Sequence, residues 1–424
     1  MTTYSAVRTT GIYCRPGCGA KPLAENVRTY ELASAAEAAG YRACLRCRPY
    51  RVAGTVGDDA PELVCRAVQL IIRGVLDEAN EAAVGARLGV SARHLRRLFN
   101  DHLGVTPDQF ARSRRAHFAR RLLDDSDLSV ADVAFASGFG SLRQFNRAMK
   151  EVFRASPSEM RERRRRGDRL TADGGLVLRM PFTAPYDWDA MAGFLAERAV
   201  PGVESVVDGV YRRTVTLDGA PGLLEIGPGG ADHLLLRAHL PYWEGVIHVV
   251  ERAARLVGID ADQTLAVAQL AADGTLGPLV TARPGVRVPG AWGPFETAVH
   301  AVVDRAGLDR LVGEHGPRVD GLGHGLTRTF PSAEALTAEP GVVGALARAV
   351  EDGDVVLDGG EPLDDLVGSL TAVPGVDVAA AHHIALRLGA RDASPLDGAS
   401  ANWRPWRALA TVHLLVAGLS AAGR

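Results

Sequence analysis

Val130-Ala-Asp-Val-Ala-Phe-Ala-Ser-Gly-Phe-Gly-Ser-Leu-Arg-Gln-Phe-Asn-Arg-Ala-Met-Lys150 is the stretch that decides how this chain is read. A short helical run stops at Ser137-Gly138, where glycine allows a left-handed turn residue. Ser141 can then offer its hydroxyl to the free backbone N–H groups of a second helix. Helix, tight turn and capped second helix form the unit that lays its second helix in the major groove of DNA. That helix carries Arg143, Gln144 and Arg147, side chains able to bond base edges or phosphates. Phe139, Phe145 and Phe153 recur at roughly helical spacing and are expected in the core. Upstream, Ala82 to Phe99 repeats the pattern, with a turn at Gly89, a cap at Ser91, and Arg93, His94, Arg96 and Arg97 on the second helix. Both copies lie in a segment, 60–166, that is helical by period and ends in the basic run Arg163 to Arg166.

Before this segment stand Cys14, Cys18, Cys44 and Cys47, spaced C-x3-C, 25 residues, C-x2-C. In a reducing compartment such pairs are metal ligands, and four thiolates close a tetrahedral Zn²⁺ site. A purely structural zinc ribbon satisfies the spacing equally well. Cys65 sits in an apolar helical run and is expected to be buried.

Charge separates the two ends of the 424-residue chain. Residues 1–170 carry 29 Lys+Arg against 19 Asp+Glu, and residues 171–424 carry 19 against 31, so a front half of +10 precedes a back half of −12. A basic, helical front half points to nucleic acid. With 47% hydrophobic and 23% charged residues the chain is of globular composition, which excludes wholesale disorder. No run of 18 apolar residues occurs and the first twenty residues lack the apolar core of a signal peptide, so no membrane partner and a cytoplasmic, nucleoid-associated location are expected. Residues 175–248 change character: 206–219 is a β-branched, hairpin-like stretch and Leu234 to Leu240 reads as another strand. Residues 250–424 return to Ala-rich helices. The fold class is therefore multidomain and mainly α: a small zinc α/β domain at 1–55, an all-α double helix-turn-helix at 60–166, an α+β domain at 175–248 and an all-α domain at 250–424.

Three resemblances follow from these residues. Arg8-Thr-Thr-Gly-Ile-Tyr-Cys-Arg-Pro-Gly-Cys18, Glu25-Asn-Val-Arg28 and Gly40-Tyr-Arg-Ala-Cys-Leu-Arg-Cys-Arg-Pro49 closely resemble the N-terminal domain of the Ada family. The resemblance implies a zinc-bound methylphosphotriester sensor, with Cys14 as methyl acceptor and Thr10, Arg42 and Arg46 at DNA-contacting positions. Residues 82–157 resemble the AraC-type helix-turn-helix pair, which implies promoter DNA and RNA polymerase as partners. Leu176 to Asp187, Ala199 to Glu204, Arg287 to Gly290, Phe295 to Val303, Leu370 to Arg387 and Trp403 to Ala408 resemble an AlkA-type 3-methyladenine DNA glycosylase, whose last domain is a helix-hairpin-helix fold. The order is that of Ada–AlkA fusions. No cysteine lies in a Pro-Cys-His-Arg motif, so the family's alkylguanine-accepting domain is not expected.

The glycosylase resemblance implies Gly375 at a phosphate-binding hairpin and Asp397 as the carboxylate that stabilises the sugar when the base leaves. This chain departs from it in three places. The hairpin reads Pro374-Gly-Val-Asp377 where the family has a second glycine. Asp304-Arg-Ala-Gly307 replaces the residues that enter the duplex. Only five residues separate Asp397 from Trp403. These departures point to a degenerate glycosylase fold behind a methyl-sensing regulator. The alternatives are an active base-excision enzyme, with Asp392 as second choice of carboxylate, or a non-enzymatic, zinc-stapled transcription factor. One of His382 and His383 is expected to face solvent and the other the core.

Overall fold

The computed structural model describes residues 3–52, 60–165, 168–170, 174–396 and 398–418. The chain divides into two compact units, one of residues 1–183 with 242–251 and 260–262, the other of residues 184–241, 252–259 and 263–424.

In the first unit, β1 (Tyr4–Val7), β2 (Ile12–Cys14), β3 (Val27–Tyr30) and β4 (Arg42–Ala43) form a sheet of order β3-β1-β2-β4. β2 and β4 run parallel, pairing Ile12 with Arg42 and Tyr13 with Ala43, so Cys14 and Cys44 leave the sheet side by side. Helix α1 (Ala33–Ala38) covers the sheet with small residues, Ala35 and Ala36.

The helices that follow are α2 (Glu62–Ile72), α3 (Val75–Glu78), α4 (Glu81–Arg87), α5 (Ala92–Leu103), α6 (Pro107–Asp125), α7 (Val130–Ala136), α8 (Leu142–Phe153) and α9 (Pro157–Glu162). Their starts are written in the sequence. Ser91 accepts from the His94 amide and Ser141 from the Gln144 amide, while Thr106, Ser129 and Ser156 each close a capping box. One such cap is worth about 1 kcal/mol. Gly89 and Gly138 take the positive φ that the two turns require. Phe139, Phe145 and Phe153 are all buried, as their spacing predicts, and Leu70, Leu95 and Phe99 anchor the core of the first helix-turn-helix. Cys65 departs from expectation. It is half-buried rather than buried, and its thiol lies 3.5 Å from the Ala60 carbonyl that precedes the helix. Strand β5 (Leu176–Pro181) follows.

In the second unit, α10 (Trp188–Glu197) precedes an antiparallel meander of β6 (Glu204–Val207), β7 (Val210–Leu217), β8 (Ala220–Pro228) and β9 (His233–His239). Two Asp-Gly turns, Asp208-Gly209 and Asp218-Gly219, join β6 to β7 and β7 to β8, and all four residues have positive φ. That is the backbone a twisted two-residue hairpin demands. Helix α11 (Val246–Leu256) has residues 246–251 in the first unit and 252–256 in the second; then come α12 (Thr264–Leu270), α13 (Gly277–Ala282), α14 (Pro294–Val302), α15 (Arg305–His315), α16 (Ala333–Leu336), α17 (Gly341–Glu351), α18 (Leu363–Thr371), α19 (Val378–Leu388) and α20 (Arg407–Val416). Leu311, Leu336, Leu346, Leu370 and Ile384 form the centre of their core. The mainly-α, multidomain reading holds. Among the described residues no helix is long and apolar enough to cross a membrane.

Candidate metal centre and DNA-reading helices

The sulfurs of Cys14, Cys18, Cys44 and Cys47 all lie within 4.8 Å of one another. Two tight turns present them. In one, the Cys18 amide bonds the Arg15 carbonyl at 3.3 Å; in the other, the Arg48 amide bonds the Cys44 carbonyl at 2.9 Å. Cys14 is the most enclosed, at 6% exposure, and the other three are half-buried. Burial, with the nearby sulfurs of Cys47 and Cys44, pushes the Cys14 thiol far above the ordinary range. Burial and the Cys44 sulfur push Cys47 up to about 11, against one N–H bond from Arg15. Burial works the same way on Cys44, but N–H groups of Cys47 and Arg46 aimed at its sulfur outweigh it and lower its pKa. Four sulfurs this close cannot all carry bare charge. A divalent cation removes the conflict, and an all-thiolate tetrahedral donor set is that of Zn²⁺.

Thr10 and Arg46 are exposed and Arg42 is half-buried on the strand that leads to Cys44. Arg48, which sequence reading passed over, is buried with φ of 50° immediately after the last ligand.

On α5, Arg93 is exposed and makes no ion pair among the described residues, while Arg97 reaches His94 Nδ1 at 2.9 Å. Arg96 is placed differently from its neighbours. It pairs with the buried Glu81 of α4, which also accepts the Asp108 amide of α6 at 3.3 Å. This side chain fastens α4 to α5. On α8, Arg143 and Gln144 are exposed, and Arg147 bonds Glu151 at 2.8 Å. Lys150 and Arg154 extend the same face and line a shallow groove with Asn146, Arg147 and Glu151. Helical spacing from Arg143 and Arg147 could have found both.

In the second unit, Gly375 has φ of 93°, and the Val342 side chain stands 3.0 Å from where a Cβ would be. Asp377 accepts the Ala380 amide at 2.7 Å and caps α19. Asp304 caps α15 in the same way through Gly307, at 2.8 Å. Asp392 is held by Arg407 at 2.7 and 2.9 Å and by Arg404 at 3.4 Å. Asp397 lies outside the described residues. His382 and His383 are both half-buried, with His383 the more enclosed of the two. Burial, then Arg387, His300 and Arg198, draws His383 down to about 3. Long-range pairing hides another feature from sequence reading. Arg213 is 2% exposed, bonds Glu296 at 2.9 and 3.1 Å and Glu204 at 3.2 Å, and stacks on Trp292 at 4.7 Å. A small cavity beside it is bounded by Phe194, Arg198, His300 and Arg387.

Comparison with known proteins matches residues 2–50 to the metal binding domain of Ada, 84–163 to a helix-turn-helix domain and 177–293 to the AlkA N-terminal domain. The probable bifunctional transcriptional activator/DNA repair enzyme AlkA of Mycobacterium tuberculosis is 37% identical over 96% of this chain and 91% of its own length. The chain belongs to the family of Ada–AlkA bifunctional transcriptional activators and DNA repair enzymes. In this fusion the back half aligns with DNA-3-methyladenine glycosylase 2 of Escherichia coli, 27% identical over 54% of this chain and 93% of that protein. The front of the fusion aligns with the bifunctional transcriptional activator/DNA repair enzyme Ada of E. coli, 34% identical over 37% of this chain and 43% of that protein. Among solved structures, a 3-methyladenine DNA glycosylase from Archaeoglobus fulgidus covers 52% of this chain and 82% of its own, with 18% identity and a TM-score of 0.42. The fusion is a DNA-binding repair protein, and zinc is the metal of its cysteine cluster.

Proposed function

We propose that the fusion is an alkylation-responsive regulator in which Cys14 takes a methyl group from a DNA methylphosphotriester. One observation carries the choice of sulfur. Backbone N–H groups are among the largest influences on Cys44 and Cys47 and not on Cys14, and between Cys14 and Cys18 the resemblance to the Ada domain selects Cys14. A thiolate without N–H bonds keeps its electron density and is the better nucleophile. Zinc, when bound, keeps the four thiols deprotonated at neutral pH. The Cys14 sulfur attacks the methyl carbon, a C–S bond forms, the C–O bond breaks, and its electrons leave on the phosphate, which becomes an ordinary diester anion. No proton moves. The thioether does not revert, so each chain acts once. The transfer removes one negative charge from the cluster, and Thr10, Arg42 and Arg46 then hold backbone phosphate against less repulsion.

The helix-turn-helix pair of segment 60–166 reads the promoter through Arg93, His94 and Arg97 on α5 and Arg143, Gln144 and Arg147 on α8, with Arg96 setting the angle of α5. RNA polymerase is then recruited, in the cytoplasm and on the nucleoid. In segments 175–248 and 250–424 the glycosylase fold is degenerate. Asp377 fills the N-terminus of α19, where hairpin amides beside Gly375 would hold phosphate, and Asp392 is committed to Arg407. A working glycosylase requires Asp397.

The deciding experiment is methyl transfer from duplex DNA carrying labelled methylphosphotriesters. Label on wild type and none on Cys14→Ala is the expected result; equal label on both overturns the acceptor assignment. Base release from DNA with 3-methyladenine and 7-methylguanine, compared with Asp397→Asn, decides the back half. No release is expected; release lost in the variant establishes the glycosylase.

A further inference from the structure

The two turns that carry the cysteines also grip the central helix of the DNA-reading module. Arg48 directly follows Cys47, and its amide closes the Cys44–Cys47 turn. Its guanidinium lies 2.6 Å from Asp168 and 3.7 Å from Asp124. Arg51 reaches Asp124, Asp125 and Asp168 at 3.2, 3.4 and 3.3 Å. Tyr50, between them, donates its hydroxyl to Asp124 at 3.0 Å. Asp124 and Asp125 end α6 and are 0% and 2% exposed. The first ligand is tied to the same helix. Tyr13, next to Cys14, donates to Glu37 of α1 at 2.6 Å, and Glu37 also takes Ser113 of α6 at 2.6 Å and lies 2.6 Å from His117 Nε2.

Three buried carboxylates thus share four guanidiniums: Arg48 and Arg51 from the cysteine module, Arg120 from α6 itself and Arg179 from β5. Buried charge is tolerated only while it is paired. Withdraw Arg48 and Arg51 and three carboxylates are left with two bonded cations. The turn geometry sets Arg48 in its left-handed backbone, and metal ligation adds to the backbone hydrogen bonds of those turns a bond from each of the four sulfurs to one centre. α6 is also the helix on which α5, α7, α8 and α9 all pack.

We propose that occupancy of the zinc centre is a condition for the order of α6, so that metal loss by chelation switches off the DNA-reading helices independently of methyl transfer. The coupling runs through the chain's own charges: thiols released, the turns open, Arg48 and Arg51 leave, Asp168 loses both of its guanidiniums, Asp124 and Asp125 keep only Arg120 and Arg179, and the last two turns of α6 fray.

The test is amide hydrogen exchange on the full chain, zinc-loaded and zinc-free, with thiols kept reduced. Removal of zinc should speed exchange over residues 118–125 by about a hundredfold, the loss expected for a broken buried ion-pair network, and leave α18 and α19 unchanged. Arg48→Ala carrying one zinc per chain should show a smaller rise in the same segment, and Arg51→Ala is the second variant should the first not load metal. A zinc-free chain whose Cys44–Cys47 turn exchanges freely while α6 keeps its protection overturns the proposal. So does a zinc-loaded variant of either arginine with wild-type protection of α6.

Discussion

The cysteine cluster and the carboxylates around α19 are both gatherings of reactive groups, but they differ in what those groups already bond. The four sulfurs lie within 4.8 Å of one another, N–H groups reach Cys44 and Cys47, and as a set they are short of positive charge. In the second unit, Asp304 and Asp377 are committed to helix amides and Asp392 to two arginines. A group whose lone pairs are taken by its own fold is structural, and one left with unmet electrostatic demand is where a ligand or a reaction belongs.

The comparison can be broken in several ways. The largest effect should be on methyl transfer: Cys14→Ser should lower it at least about a thousandfold, because a hydroxyl is a far weaker nucleophile than a thiolate. Labelled protein counted after incubation measures it, and near-normal labelling would show the cluster to be as structural as the carboxylates. Next, chelating zinc should lower the melting midpoint of the first unit by about 10 °C while the second unit melts as before, in a calorimetric scan that resolves both. A common shift would remove the distinction. Arg407→Ala should cost the second unit about 2 kcal/mol in urea titration, because the partly buried Asp392 is left with the longer contact to Arg404 alone. A neutral result would mean Asp392 is not held as a structural group.

Acid sharpens the contrast on the second unit. Burial lowers His383 to about 3 and His413 to about 4, from an ordinary 6.5. The unfolded chain therefore binds more protons at these residues below pH 6.5, and the folded state loses stability as pH falls from about 6.5 towards 4. The slope approaches about 1.4 kcal/mol per pH unit for each histidine. Urea midpoints of His383→Gln should be flatter over that window. The smallest effect concerns the cap. Asp377→Gly exchanges one good N-cap for another at a cost of a few tenths of a kcal/mol. Freed of that carboxylate, the hairpin should gain about two- to threefold in affinity for duplex DNA at low salt.

Features stored in a few consecutive residues were legible. Ser91 and Ser141 announce their helices, Asp208-Gly209 lies within the hairpin-like stretch, and the C-x3-C and C-x2-C spacings bring together the sulfurs they predict. Side chains whose role depends on a distant partner were not. Arg96 looks groove-facing until Glu81, 15 residues earlier, is seen beneath it. Arg213 and Glu296 are 83 residues apart, and nothing in either neighbourhood announces the pair. Cys65 has an apolar setting but lies beside, not on, the fully buried face of its helix that Val64, Ala67, Val68 and Ile71 form. Asp392 reads as an available acid only until Arg407 is placed against it.

Arg48 and its aspartates bear on how such proteins can be rearranged. The composition of the chain breaks between the cysteine module and the helices near residue 55, and a geneticist would cut there. Mechanically the seam lies elsewhere, because Asp124, Asp125 and Asp168 stand on one side of that cut and two of their counter-ions on the other. The DNA-reading helices cannot be lent to a new sensor unless it brings its own cations, nor can the sensor be grafted onto another reader that lacks the acids. Recombination that respects the visible boundary would produce fragments each missing half of a charge cluster.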